Sequence, residues 1–158
     1  MATMAADPIF VDTNVLVYAT RPLAIQHAAA LTALTRLEGE GSALWVSTQV
    51  LREYLAAVTR PQATAPGLAM ATAIADVRSF RAAFDVAEEL PGVLDRLLDL
   101  LTAHRGSGRQ VHDANIVATM LENGIRRLLT FNGADFRRFA RIIDIELLPK
   151  LIRGRVLA

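Results

Sequence analysis

The sequence contains no cysteine and only one lysine. Without cysteine the chain can form neither a disulfide nor a thiolate metal site. It also lacks a long apolar run, because the longest stretch without a charged side chain, residues 61–75, contains two prolines and is shorter than the about 20 residues that cross a bilayer. Residues 1–7 have neither the basic start nor the apolar segment of a signal peptide. We therefore expect a cytoplasmic protein that does not associate with membranes.

The composition is typical of one folded domain. The chain has 158 residues, of which 53% are hydrophobic and 21% are charged, with 17 basic and 16 acidic side chains. A domain of this length buries about 70% of the surface that its unfolded chain exposes. We interpret residues 1–158 as a single globular domain. Its balanced charge argues against a protein that coats nucleic acid by bulk attraction.

The basic residues are almost all arginine, with Lys150 as the exception. Guanidinium groups match phosphate geometry well. The alternative interpretation is that the arginines reflect the base composition of the gene and a solvated surface. Three arginines near the ends of predicted strands are candidates for binding substrate phosphates: Arg109, Arg137 and Arg138.

Short apolar runs, β-branched or aromatic, alternate with helical patterns. The predicted strands are 9–11, 43–46, 128–131 and 142–148, and residues 84–87 could add a short edge strand. The predicted helices are 15–18, 23–37, 48–58, 67–80, 93–104 and 113–122. This alternation implies crossover connections and a parallel sheet that is covered on both faces. Ligands bind such sheets beyond the carboxyl ends of the strands.

Four carboxylates are candidates for that crevice. Asp12 directly follows the first strand, Asp135 follows the strand over 128–131, and Glu53 and Asp113 lie on helices. Asp113 shares an inward stripe with four apolar residues of its own helix, Ile116, Val117, Met120 and Leu121. Simpler interpretations remain open, namely an N-cap or turn residue for each aspartate and a solvated helix flank for Glu53.

Together these carboxylates predict a metal site. Carboxylates that lie close together repel, and burial raises their pKa, so the cluster is costly unless a cation lies among them. Oxygen-only ligands select hard ions such as Mg²⁺ or Mn²⁺, which commonly join protein carboxylates to phosphate. Such ions can deprotonate a water for attack on a phosphodiester and stabilise its leaving oxygen.

Four segments resemble, in order, the successive motifs of PIN-domain ribonucleases, and most closely those of VapC-type toxins of bacterial toxin–antitoxin pairs. The segments are IFVDTNVLVY at 9–18, QVLREYL at 49–55, VHDANIVA at 111–118 and LTFNGADF at 129–136. Their acidic residues are separated by 41, 60 and 22 positions. The resemblance covers residues 9 to about 148, which is nearly the whole chain.

This resemblance implies a PIN-like α/β fold with a five-stranded parallel sheet in the order 3-2-1-4-5, flanked by helices. It implies an endoribonuclease that depends on Mg²⁺ or Mn²⁺, held mainly by Asp12 and Asp113. The implied catalytic residues are Asp12, Glu53, Asp113 and Asp135. Thr130 would support the site as a hydroxyl, and Asn14 matches a polar position that follows the first aspartate.

The resemblance also implies an RNA substrate, a homodimer and neutralisation by a cognate VapB-type antitoxin. Residues 61–75 carry Leu68, Met70 and Ile74 at helical spacing. They form either a core helix or a groove for an amphipathic helix of that antitoxin. The alternative function is a catalytically inactive PIN-like module that binds RNA or protein.

Other enzyme classes match the residues less well. A dehalogenase-like phosphatase would need a second aspartate two places after Asp12, where Asn14 stands. A receiver domain would need an acidic pair after the first strand, although Lys150 invites that interpretation; Val11 precedes Asp12 instead. The motifs of serine and zinc hydrolases are absent.

Overall fold

The computed structural model describes residues 7–63 and 65–152, and the backbone of 155–157. The helices are α1 (Thr13–Ala19), α2 (His27–Gly39), α3 (Thr48–Thr59), α4 (Met70–Ala83), α5 (Gly92–His104), α6 (Gln110–Glu122) and α7 (Gly133–Phe136), which continues into a 3₁₀ turn (Arg137–Phe139). The strands are β1 (Pro8–Val11), β2 (Ala43–Ser47), β3 (Asp85–Ala87), β4 (Arg127–Thr130), β5 (Asp144–Leu147), β6 (Lys150–Ile152) and β7 (Arg155–Leu157).

The first five strands form one parallel sheet in the order β3-β2-β1-β4-β5. This confirms the expected PIN-like α/β topology. The central strand β1 buries Ile9, Phe10 and Val11 completely, as a strand covered on both faces should. Val11 pairs with Leu129 on β4, so the residues that follow these two strands emerge side by side.

Helices α2 and α4 begin later than the sequence pattern predicted. Residues 21–27 form tight turns instead of helix, with Ala24 N donating to Arg21 O (2.9 Å) and His27 N to Ala24 O (3.0 Å). Before α4, Leu68 N donates to Val58 O (2.8 Å). Gly67 passes so close to α3 that a β-carbon there would lie 2.0 Å from Thr59 O, so this position requires glycine.

Helix α6 begins earlier than predicted, and this changes the role of Asp113. The preceding loop contains Gly108 at a φ of 56°, a conformation that glycine adopts without cost, and α6 starts two residues later at Gln110. Asp113 is therefore the fourth helical residue and not the N-cap. Its carboxylate does not cap the helix and can lie at the carboxyl edge of the sheet.

Two features at the carboxyl-terminal end differ from the prediction. The last strand of the sheet begins at Asp144 instead of residue 142 and ends at Leu147. It is followed by an antiparallel hairpin of β6 and β7, which was not predicted. Each strand of that hairpin has three residues, too few for a sequence pattern to distinguish it from a loop.

Helix α4, whose first six residues end the uncharged segment 61–75, is divided between core and surface. Ala73 is fully buried, and Val77 and Phe80 pack against the core, whereas Met70 and Ile74 remain 53% and 39% exposed. Met70 and Ile74 are one helical turn apart, so α4 presents an apolar strip to solvent.

No helix within the described residues is long and apolar enough to span a membrane.

A buried hydroxyl ties α3 to its neighbours. Tyr54 has no solvent exposure; its hydroxyl donates to Asp76 Oδ2 (2.6 Å) and lies 3.0 Å from the Thr20 hydroxyl. Burial raises the pKa of Tyr54, and the Asp76 hydrogen bond raises it further. We expect Tyr54→Phe to lower the free energy of unfolding by about 1 to 2 kcal/mol, because Asp76 loses its buried donor. Urea denaturation measures the change.

Tyr18→Phe is the matched control. Its ring contacts Phe131 edge-on, but its hydroxyl makes no hydrogen bond to any residue between 7 and 152 that the structure describes. Its removal should change stability by less than about 0.5 kcal/mol. Equal effects of the two substitutions would contradict a stabilising role for the Tyr54 hydrogen bonds.

Candidate active site

The four candidate carboxylates converge at the carboxyl edge of the sheet. Asp12 follows β1, and Glu53, Asp113 and Asp135 come from α3, α6 and α7. The last three line a cleft of about 410 Å³ together with Arg109, Gln110, His112 and Asn132. Asp12 is buried close enough to Glu53 and Asp113 for their charges to raise its pKa. The fold thus collects carboxylates from four separate parts of the chain.

Asp12 is the most enclosed member, with 6% of its surface exposed. Its Oδ1 accepts from Thr13 N (2.7 Å), and its Oδ2 accepts from the Thr130 hydroxyl (2.6 Å) and Asn14 Nδ2 (2.7 Å). Burial raises its pKa to about 6, although the Thr130 and Thr13 hydrogen bonds oppose the rise. Asp12 also caps α1, so the simple N-cap interpretation is correct but incomplete.

Thr130 and Asn14 join the ends of β1 and β4. Asn14 donates to Asp12 and to the Thr130 hydroxyl (3.2 Å), and its Oδ1 accepts from Phe131 N (3.1 Å). The Thr130 hydroxyl also accepts from Asn132 N (2.9 Å). Both residues therefore hold the Asp12 carboxylate in one orientation.

Glu53 is half-buried and held on both oxygens, so it is not a solvated helix flank. Its Oε2 accepts from the Thr13 hydroxyl (2.9 Å), and its Oε1 accepts from Gln49 Nε2 (2.7 Å). Gln49 Nε2 also donates to His112 O (3.1 Å), and its Oε1 accepts from Asn115 Nδ2 (2.7 Å). Gln49 thus locks α3 to α6 beside the acids.

Sequence reasoning gave no role to Gln49 or Thr13. The available signal for Gln49 is its position four residues before Glu53, which places the two on one helix face. Its second partner, Asn115, is 66 residues away, and no local pattern indicates that contact.

Asp113 and Asp135 face each other across the cleft. Asp113 is half-buried; burial raises its pKa to about 6, and the charge of Asp135 adds to the rise while Arg138 opposes it. Asp135 is exposed and accepts from Asn132 Nδ2, whose own Oδ1 accepts from Lys150 Nζ (3.1 Å). Neither acid is a helix N-cap, since α6 and α7 are preceded by Arg109 and Asn132 at those positions.

The three candidate arginines are not equivalent. Arg109 lines the acidic cleft, and Arg137 is exposed beside it. Arg138 is half-buried, donates to Gln110 O (2.7 Å) and lies 4.7 Å above the Phe139 ring. Arg138 therefore anchors the first turn of α6, a packing role that its sequence position does not reveal.

The cluster has the ligand chemistry of a hard divalent ion. Its side-chain donors are oxygens, and the neighbouring acidic charges raise the pKa of Asp12 and of Asp113, an effect that a cation among them would reverse. In the described part of the chain, no three His, Asp or Glu side chains are already arranged around a common point for a metal. Asp12, Glu53 and Asp135 also accept hydrogen bonds from protein donors, which orient the carboxylates that would hold the ion.

Comparison with known proteins connects this arrangement to a family. The family model for the PIN domain matches residues 9–142. No curated protein sequence gives a match.

Several solved structures share the fold. VapBC2 from Rickettsia felis, bound to a DNA fragment of its promoter, aligns with a TM-score of 0.62 and 16% identity over 89% of this chain and 98% of that chain. VapC20 from Mycobacterium tuberculosis, a toxin that cleaves the sarcin-ricin loop, aligns with a TM-score of 0.62 and 20% identity over 89% and 99%. VapBC-1 from nontypeable Haemophilus influenzae gives 0.62 and 14% over 89% and 97%.

Burial of the Asp113 carboxylate, to which the charge of Asp135 adds, predicts an unusual stability effect. The pKa of folded Asp113, about 6, lies above its ordinary value of 3.8. The folded protein therefore binds more protons than the unfolded chain between about pH 4 and pH 6, and this carboxylate lowers stability as the pH rises through that range. In EDTA at pH 7 we expect Asp113→Asn to raise the free energy of unfolding by about 1 kcal/mol, a value reduced for solvent screening of a half-buried group.

The gain should disappear at about pH 3, below both pKa values, where Asp113 is protonated in the folded and the unfolded state. Asp99→Asn, at an exposed position on α5, is the control and should change stability by less than about 0.5 kcal/mol. Chemical denaturation at the two pH values measures both variants. A loss of stability in Asp113→Asn at neutral pH would contradict a destabilising effect of the ionised Asp113 carboxylate.

Proposed function

Since this chain belongs to the PIN-domain family, we propose that it is an endoribonuclease that uses Mg²⁺ or Mn²⁺ and acts as the toxin of a toxin–antitoxin pair. The observation that carries the proposal is the convergence of Asp12, Glu53, Asp113 and Asp135 on one cleft edge from four separate elements. Burial and mutual repulsion of these carboxylates are unfavourable unless a cation binds among them, and Arg109 beside them could bind a phosphate.

Asp12 and Asp113 are the proposed main ligands of the ion, and Glu53 and Asp135 complete the set. When bound, a divalent ion promotes the ionisation of an attacking water and stabilises charge on the phosphate and the leaving oxygen. Hydrolysis forms a bond from the water oxygen to phosphorus and breaks the bond from phosphorus to a ribose oxygen, which takes up a proton.

The protein itself orients the carboxylates that would hold the ion. Three donors fix the Asp12 carboxylate, and Thr13 and Gln49 fix that of Glu53, so neither has to reorganise when substrate arrives. Among the described residues no donor bonds to the Asp113 carboxylate, which leaves both of its oxygens for the ion. Arg109 at the rim of the cleft is proposed to pair with a phosphate oxygen of the RNA.

The structural neighbours support the biological context. VapC20 is a toxin that cleaves the sarcin-ricin loop, and a further structure with this fold is a toxin–antitoxin complex from Klebsiella pneumoniae. We infer by analogy that this chain forms a homodimer and is neutralised by a VapB-type antitoxin. The exposed apolar strip of Met70 and Ile74 on α4 is proposed as part of the surface that the antitoxin covers.

Cleavage should depend on the two main ligands. We expect Asp12→Asn and Asp113→Asn to lower the rate by more than about 100-fold, because each removes a metal-binding charge while keeping the side-chain shape. The assay maps new RNA ends in total cellular RNA incubated with purified protein and Mg²⁺, with Asp99→Asn as a control that should cleave normally. EDTA should abolish cleavage by the wild type.

Two results would overturn this mechanism. One is equal cleavage by wild type and Asp113→Asn; the other is undiminished cleavage in EDTA. A wild-type protein that binds RNA with Mg²⁺ present and leaves it intact would favour the inactive binding module instead.

The antitoxin proposal has its own test. Expression of the chain alone should arrest growth, and co-expression of the short reading frame adjacent to its gene should restore it. Met70→Asp and Ile74→Asp should weaken the purified complex about 10-fold or more, since each places a charge in an apolar contact. Leu94→Asp, at an exposed apolar position on α5, is the matched control. Wild-type affinity in both α4 variants would place the antitoxin on another face.

A further inference from the structure

A second cleft adjoins the acidic one and has the opposite charge. Its volume is about 450 Å³, and the residues that define its character are His104, Arg105, Gln110, Asp135, Arg137 and Arg138. Three arginines thus face one carboxylate. We call this space the arginine cleft.

The two clefts share a boundary. Gln110 and Asp135 line both of them, so a ligand that spans these two residues would contact both the acids and the arginines. The arginines come from different elements: Arg105 from the end of α5, and Arg137 and Arg138 from the turn after α7. A shared boundary and converging cations are what an extended polyanion requires on either side of a reacting bond.

Arg105 and Arg137 are available to such a ligand. Both are exposed, and neither side chain forms an ion pair or a hydrogen bond within residues 7–63 and 65–152. Arg36, Arg96 and Arg127, by contrast, are bound to acidic partners. Arg138 donates through Nη2 to Gln110 O and packs over the Phe139 ring, and its Nε is buried with no hydrogen-bond partner among the described residues, so we assign it to the wall of the cleft.

The backbone at Arg105 is strained. Among the described residues, Arg105 is the only non-glycine residue with a positive φ; its φ is 29° and its ψ is 119°. Such a conformation costs about 1 to 3 kcal/mol in a non-glycine residue, and strained positions of this kind cluster at ligand clamps. The next residue, Gly106, passes so close to Arg138 that a β-carbon would lie 3.1 Å from Nη1. The loop that carries the Arg105 side chain therefore lies against the Arg138 guanidinium.

We propose that the arginine cleft binds a backbone phosphate of the RNA next to the cleaved bond, with Arg105 and Arg137 as its ligands. The proposal rests on the proposed nuclease function, which places a phosphodiester in the adjoining acidic cleft. Guanidinium forks bind phosphate oxygens in pairs, and the unpaired state of both side chains leaves their donors free. The cleft thereby sets the direction in which the RNA leaves the acids, toward the end of α5.

The test measures binding separately from cleavage. A fluorescein-labelled synthetic RNA hairpin is titrated at several NaCl concentrations with full-length protein in EDTA, and its anisotropy gives Kd. Arg105→Ala and Arg137→Ala should each weaken binding about 10-fold at moderate salt. Each should also reduce the slope of log K against log salt by roughly 0.7 to 0.9.

Two further variants keep the result interpretable. Arg105→Gly removes the guanidinium but suits the positive φ, so it should lose the same affinity with no loss of thermal stability. Arg81→Ala, exposed on α4 at the other edge of the sheet, should leave the slope unchanged.

The outcomes separate this proposal from the nuclease itself. Unchanged slopes in Arg105→Ala and Arg137→Ala would overturn the arginine cleft as an RNA site, even if the wild type cleaves RNA normally. Reduced slopes would support the site even if no cleavage were seen. RNA affinity unchanged in both variants, with weaker binding of a polyglutamate peptide, would also overturn it and assign the cleft to an acidic protein segment.

Discussion

Asp12 ends the central strand with its carboxylate buried, and the surrounding side chains compensate for that burial. A buried carboxylate without partners is far less stable than one that accepts several hydrogen bonds. Thr130 and Asn14 provide those bonds, and by doing so they also tie the end of β4 to the start of α1. The hydrogen bonds that orient the Asp12 carboxylate thus also join the ends of two neighbouring strands of the sheet. A rearrangement of either strand end would leave the charge unsatisfied.

The other acids are added to this fixed point under different degrees of restraint. Glu53 is bonded on both oxygens and Asp135 is bonded to Asn132, whereas the Asp113 carboxylate accepts no hydrogen bond from the described residues. Hydrogen bonds therefore fix the carboxylates on the β1 and α3 side, while the carboxylate on α6 is less restrained. Such a gradient suits a site that must hold its geometry yet admit a charged ligand, because the least restrained acid adjusts at the smallest structural cost.

The sequence indicated those features that depend on local pattern. Strand ends place Asp12 and Asp135 at the same sheet edge, and helical spacing turns Asp113 inward; the strand order came from the family resemblance. The sequence did not indicate hydrogen bonds between residues far apart in the chain. Gln49 accepts from Asn115, 66 residues away, and Arg138 donates to Gln110 O, whereas a phosphate was its expected partner. Such contacts arise from packing of α3, α6 and the turn after α7, for which local propensity carries no signal.

The edges of the sheet limit how this chain can associate with another copy of itself. The edge strand β3 has three residues and begins with Asp85, and the opposite edge β5 has four and begins with Asp144. Short strands that carry negative charge offer a poor template for backbone pairing with an identical strand, since like charges would face each other. Continuous sheets across two molecules are thereby disfavoured. Self-association is left to helical surfaces, where side-chain shape instead of backbone hydrogen bonding decides the partner.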